Sequence, residues 1–282
     1  MRYPRIFASW MLVSLSMQCV DAQRERSTSP ERQIVKSSEP SDSPKDILLR
    51  CYPDDIEQIK ENTIYFKDGS TLPFDDGQKS KSGSQLINQP DVEDQFFYQY
   101  YPGKIDYNRN QDAGRIRNEA FFKKIYGQSE AAVRKNITEI VWCPRNIGQK
   151  IKVTRKNGVD KKFMAVSEEL DALIDQHPKY KNYITNIGGT FVWRMINGTN
   201  RLSMHSFGMT IDINTKYSDY WQWSCKCTDE EKEISSVYTN KIPYEIVAIF
   251  EKHGFIWGGK WKHFDSMHFE YRPELIATTK SK

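Results

Sequence analysis

Two stretches, Ser203-Met204-His205-Ser206-Phe207-Gly208-Met209-Thr210-Ile211-Asp212 and Asp265-Ser266-Met267-His268, hold two imidazoles and a carboxylate as candidate metal ligands. The chain has five histidines, and two of them fall in these stretches. Both have the two-residue period of a β-strand. Met209, Ile211 and Ile213 alternate with Thr210, Asp212 and Asn214, and Met267, Phe269 and Tyr271 alternate with Ser266, His268 and Glu270. The apolar set of each strand enters a core. The other set brings Asp212 and His268 to one side of a sheet. The architecture expected is α+β, a small antiparallel sheet carrying the site and flanked by helices.

The residue types suit a metal. Imidazole nitrogen and carboxylate oxygen both bind zinc, and a catalytic zinc site takes three protein ligands, an open position and a nearby base. His205, Asp212 and His268 would be the ligands and Asp265 the base. His205 and Asp212 lie on either side of a turn expected at Gly208, so this is not the one-helix arrangement of HExxH. Arg194 is a candidate clamp for a substrate carboxylate, and Ser203 a candidate hydrogen-bond donor to substrate. Spacing alone leaves plainer readings open. These are a hydrogen-bonded His–Asp pair, a turn cap at Asp265 or Ser203, and a surface ion pair at Arg194.

The first stretch resembles the SxHxxGxAxD signature of the zinc D-alanyl-D-alanine carboxypeptidases, a family that includes vancomycin-resistance D,D-peptidases and L-alanyl-D-glutamate endopeptidases. Asp265-Ser266-Met267-His268-Phe269-Glu270 resembles its second signature, acidic-x-x-His with a following acid. The resemblance runs from about Val141 to Pro273. It implies zinc held by His205, Asp212 and His268, Asp265 as general base, and Arg194 as the arginine that binds substrate. It also implies peptidoglycan stem peptides as substrates, cut by a carboxypeptidase or an endopeptidase. Thr210 departs from the usual alanine, and Asp265 stands where some members carry glutamate. A non-catalytic peptidoglycan-binding module of the same fold is the alternative, and a structural envelope protein a third.

The N-terminus reads as a secretory signal peptide over residues 1–22. Arg2 and Arg5 precede an apolar run from Ile6 to Met17, and Val20-Asp21-Ala22 offers a cleavage site. This places the protein outside the cytoplasm, secreted or periplasmic, with no stable membrane span after cleavage. A lipid-modified Cys19 is the less favoured reading, because Gln18 precedes it. The remaining cysteines, Cys51, Cys143, Cys225 and Cys227, are an even set, as expected of two disulfides in an exported protein. Cys225 and Cys227 are close in sequence, so cross-pairing with Cys51 and Cys143 is expected. A formal charge of +4 without a long basic run points away from nucleic acid.

Residues 23–45 are rich in Ser, Pro and charge, and read as a disordered linker. Residues 46–140 form an N-terminal region that could complete a substrate groove, and 141–275 the peptidase-like core. Thr63 to Leu72, with Asp68-Gly69 at its centre, reads as a β-hairpin, and Gln78 to Gln89 as a loop. Helices are expected over 113–126 with Asp112 as N-cap, over 167–177, and over 243–253. Trp257 to Trp261 reads as a turn that delivers the last strand. His263 reads as a residue orienting a ligand or as an exposed loop histidine.

Overall fold

A computed structural model describes residues 42–104, 111–226, 238 and 240–278, all within one unit, Pro40–Lys282. The expected signal peptide, Cys19, Cys227 and nearly all of the expected linker lie outside these residues. No helix among the described residues is long and apolar enough to cross a membrane.

The chain enters through α1 (Pro44–Cys51), whose first turn is closed by a capping box between Ser43 and Asp46. A three-stranded meander follows: β1 (Ile56–Lys60), β2 (Thr63–Phe66) and β3 (Thr71–Pro73). The β2–β3 hairpin is the one expected from Asp68-Gly69. Gly69 takes φ 80°, and Asp68 Oδ1 accepts from Ser70 N at 2.9 Å. The stretch expected as a loop from Gln78 to Gln89 contains α2 (Gly83–Asn88). Ser82 and Gln85 form its capping box, a start signal that reading the segment as uniformly polar passed over.

The helix expected over 113–126 is shorter. α3 spans Glu119–Tyr126, capped by Asn118, and ends at Gly127 as expected. Asp112 is no N-cap. Its carboxylate accepts from the backbone and ring of His263, and Gly114 turns the chain at φ 98°. After α4 (Glu130–Arg134) come the paired strands β4 (Ile137–Trp142) and β5 (Gln149–Thr154). The helix expected from Ser167 begins earlier, as α5 (Val159–Gln176). Val159 and Phe163 continue the buried stripe of Val166, Leu170 and Ile174.

α6 (Lys181–Ile184), β6 (Thr210–Asp212) and α7 (Trp221–Cys225) precede α8 (Tyr244–Lys252), which matches the expected third helix. β7 (Phe255–Trp257), β8 (His268–Tyr271) and α9 (Pro273–Ala277) end the described chain. β7 was not foreseen. The expected turn at 257–261 begins only after it, as a 3₁₀ turn over Gly258–Lys260.

The sheet order is β6-β8-β7, all antiparallel, with β8 in the centre. Asp212 pairs with His268 and Thr210 with Glu270, which puts Asp212 and His268 on one face as the strand alternation predicts. On the core side, Phe269 stacks on Phe250 with ring centres 3.9 Å apart. Burying such a ring contributes roughly 1.5–3 kcal/mol. The other side is also closed. Glu270 is fully buried beneath Arg117 and Arg272. One hydrophobic cluster runs from Leu48 through Phe163 to Tyr271, so residues before 140 share a core with the site strands.

The expected cross-pairing of cysteines is wrong. Cys51 and Cys143 carry free thiols, and burial pushes both up to about 12. Cys143 sits in the core at the end of β4, where its backbone N–H donates to Ser167 Oγ. Cys225 is disulfide-bonded.

Candidate metal centre

His205 stands on a 3₁₀ turn, Met204–Phe207, closed by Gly208 at φ 68°. A Cβ at Gly208 would lie 2.6 Å from Ile137 Cδ1 and 3.1 Å from Thr154 N, so the signature glycine fits both the turn and its packing on β4–β5. A short arm holds the turn from the other side. Val192 N donates to His205 O, Ser203 N to Arg194 O, and Arg194 N to Ser206 Oγ.

The carbonyl of Thr190 accepts from His205 Nδ1 at 2.8 Å, and Nε2 faces Asp212 Oδ2 at 3.2 Å. Asp212 ends β6, and its backbone is clamped to Gly188 and Gly189. Its Oδ1 lies 3.1 Å from His268 Nδ1. The second nitrogen of His268 faces Glu270 Oε2 at 3.2 Å. One ligand atom each from His205, Asp212 and His268 falls within 4.8 Å of the other two, so the trio could hold a metal ion.

The electrostatics favour a cation here. Burial opposes a charge on His268, but bonds to Asp212 and Glu270 outweigh it and hold the imidazole up at about 10. Burial likewise opposes ionisation of Asp212, yet the charge of His205 and bonds from both histidines keep its carboxyl well below the usual range.

Asp265 lines the same cavity, of about 360 Å³. Burial, followed by the negative charge of Asp212, raises its carboxyl to about 6. Its Oδ1 is buried and finds no hydrogen-bond partner among the described residues. Its backbone N–H donates to Gly258 O, and the neighbouring Ser266 is tied to Asp219. Three nitrogen and oxygen donors, an orphaned carboxylate oxygen and a cation-favouring field fit a divalent metal with an open position.

Residues 197–271 match the family model described as D-alanyl-D-alanine carboxypeptidase. This stretch of the chain is similar to the D-alanyl-D-alanine carboxypeptidase family and holds the whole donor set. No curated protein and no solved structure matches it.

The family match covers His205, Asp212, Asp265 and His268, and Arg194 lies just before it. Arg194 is exposed and lines the cavity of the three donors. Within the chain its guanidinium donates to the carbonyl of Met195 at 3.4 Å. Ser203 is buried on the same wall. Ser206 is the serine that locks the arm, bonding the carbonyls of Val192 and Arg194.

His263 is not exposed, and it lines the same cavity as the ligands. It is buried, bonded to Asp112 at 2.6 Å, and edge-on to Trp221. Sequence reasoning gave Glu270 no role and passed over Arg115 and Arg117 altogether. Glu270 was legible as the next residue on the face of His268. The two arginines precede the signatures by more than eighty residues, and only the fold brings them to the cavity.

Proposed function

We propose that this protein is an exported zinc peptidase that hydrolyses peptide bonds in peptidoglycan stem peptides. The observation that carries the reading is one cavity holding the three-donor set, the unpartnered Asp265 oxygen and the Arg194 guanidinium. His205 would hold the ion through Nε2, His268 through Nδ1, and Asp212 through a carboxylate oxygen. Zinc, when bound, supplies Lewis acidity to a water and to the scissile carbonyl.

The chain supplies the rest. Asp265 takes the proton of the attacking water and hands it to the leaving amine. A carboxyl lifted to about 6 is largely ionised near neutral pH yet more basic than an ordinary aspartate. Arg194 holds the substrate carboxylate by charge-assisted hydrogen bonds, and the Ser203 hydroxyl adds a further donor. Glu270 fixes the ring of His268 from the side away from Asp212. The expected signal peptide would deliver the enzyme to the compartment of its substrate.

The test is hydrolysis of purified muropeptides by the zinc-loaded protein and its His205→Ala variant, with zinc content measured on both. The reading expects stoichiometric zinc and cleavage in the parent, and loss of both in the variant. Full hydrolysis by His205→Ala would overturn it.

A further inference from the structure

Three cavities among the described residues meet at Arg115. The cavity of the metal ligands shares Arg115, Arg117, Ile196 and Met204 with a second, of about 250 Å³. The second shares Ile87, Asn88, Asn200 and Arg201 with a third, of about 820 Å³. Shared wall residues set them side by side in a row, here called the trench, from His205 and His268 past Arg117 to α2. Much of its wall comes from residues 82–117, N-terminal to the stretch that matches the family. The ligand cavity alone already falls within the roughly 300–1,000 Å³ of ordinary small-ligand sites, so the remainder is room beyond the scissile bond.

Away from the metal site, cations outnumber carboxylates along this trench. Arg115, Arg117, Arg194, Arg201 and Lys262 line it. Away from the metal site the carboxylates on its walls are Asp112 and Glu119, and both have partners. Asp112 bonds Arg115 and His263, while Glu119 bonds Lys123 and the backbone N–H of Leu202.

Arg117 sits at the junction. Its Nε and Nη2 donate to the buried Glu270, at 3.2 and 2.6 Å, and its guanidinium lies over the Trp261 ring at 5.5 Å. Its Nη1 group makes no hydrogen bond among the described residues. A guanidinium fixed on one edge and lining a cavity on another is a preorganised donor for an anion. The far end also carries the neutral polar side chains Ser82, Asn88 and Asn200, which suit a peptide backbone.

We propose that this trench is the path of an extended acidic peptide. The substrate runs from the metal site past Arg117 towards Asn88 and Arg201, and carries at least one carboxylate beyond the one held by Arg194. The proposal rests on the peptidase reading above, and assigns to the N-terminal region the selection of long, multiply charged substrates over dipeptides.

The test uses the zinc-loaded full chain and two peptides. One is a defined pentapeptide stem with free side-chain carboxylates. The other is the same peptide with those carboxylates amidated and the terminal carboxylate kept. Amidation should raise KM roughly tenfold with kcat little changed, as expected for losing one hydrogen bond to a charged group. Arg201→Gln should shrink the difference between the peptides, at unchanged zinc content. Equal KM for both peptides, or a variant that penalises both alike, would overturn the trench and leave the peptidase reading standing. Cleavage of neither peptide with zinc bound would instead overturn the peptidase reading, and the trench as a substrate path with it.

Discussion

Glu270 Oε2 lies 3.2 Å from His268 Nε2, and the same buried carboxylate receives Arg117 and Arg272. Burial opposes the charge on Glu270, but Arg117, His268 and Arg272 hold its carboxyl well below the usual range. A Glu270→Gln variant keeps the shape and removes the charge. Its metal Kd should rise about 10- to 100-fold, the usual cost of losing a partner behind a ligand imidazole. Two guanidiniums would lose a buried counter-charge, so unfolding free energy should fall by about 3–5 kcal/mol. Metal titration and denaturant unfolding measure the two effects. An unchanged Kd would show that Glu270 serves only the arginines.

Asp265 and Asp212 share a cavity but have separate tasks in the proposed mechanism. Asp265→Asn should leave zinc content at one per chain while kcat falls about 10²- to 10⁴-fold, the range for losing a general base. Asp212→Asn should lose zinc as well. Metal analysis beside turnover separates the two. Zinc loss in Asp265→Asn would make that residue a ligand, and full turnover would remove it from the chemistry.

The strand alternation around Asp212 and His268 was enough to put them on one face of a sheet, because a two-residue period sends alternate side chains to opposite faces, while their pairing opposite each other is set by the fold. The hairpin at Asp68-Gly69 and α8 were legible for the same kind of reason, since local turn and cap chemistry decides them. Asp112 was misread because its sequence context is that of a helix cap. A histidine 151 residues away claims its carboxylate instead. Cys51 and Cys143 were misread because parity says nothing about where two thiols end up, and the fold buries one of them in the core. The trench escaped notice because Arg115 and Arg117 fell inside the helix expected over 113–126, whereas both precede α3. They reach the site through contacts with Glu270 and Asp112 that no local pattern encodes.

Protons should leave the site when the metal enters. Without metal, His268 is held up at about 10, above its ordinary 6.5, so it is protonated at neutral pH. A ligand imidazole must be neutral. Zinc titrated in at pH 7 should therefore release about one proton from His268, and affinity should rise with pH. Calorimetry in buffers of different ionisation enthalpy counts the proton. The sign for stability follows from the raised value. In the metal-free protein the contribution of His268 is complete below about 6.5 and is lost as pH rises through about 10. The metal-free protein should thus lose stability above neutral pH by more than the zinc-bound protein. Parallel pH profiles of unfolding for the two forms would contradict this.

Gly208 offers a test of the backbone beneath the ligands. Alanine there would have to hold φ 68° and place a Cβ 2.6 Å from Ile137 Cδ1. The left-handed conformation costs roughly 1–2 kcal/mol for a residue with a Cβ. Relieving the clash means moving either β4 or the turn that carries His205. The neighbouring Thr154 N–H donates to the Gly208 carbonyl, so the turn is tied to β5 as well. Gly208→Ala should therefore lower unfolding free energy by about 2–4 kcal/mol in total and also weaken metal binding, because the His205 ring moves with its turn. An Ile137→Ala change in the same chain removes the obstructing methyl and should restore part of the metal affinity, though not the stability. Thermal unfolding and zinc titration on the single and double variants separate strain in the turn from crowding against β4. If the second substitution restores nothing, the left-handed turn alone sets the position of His205.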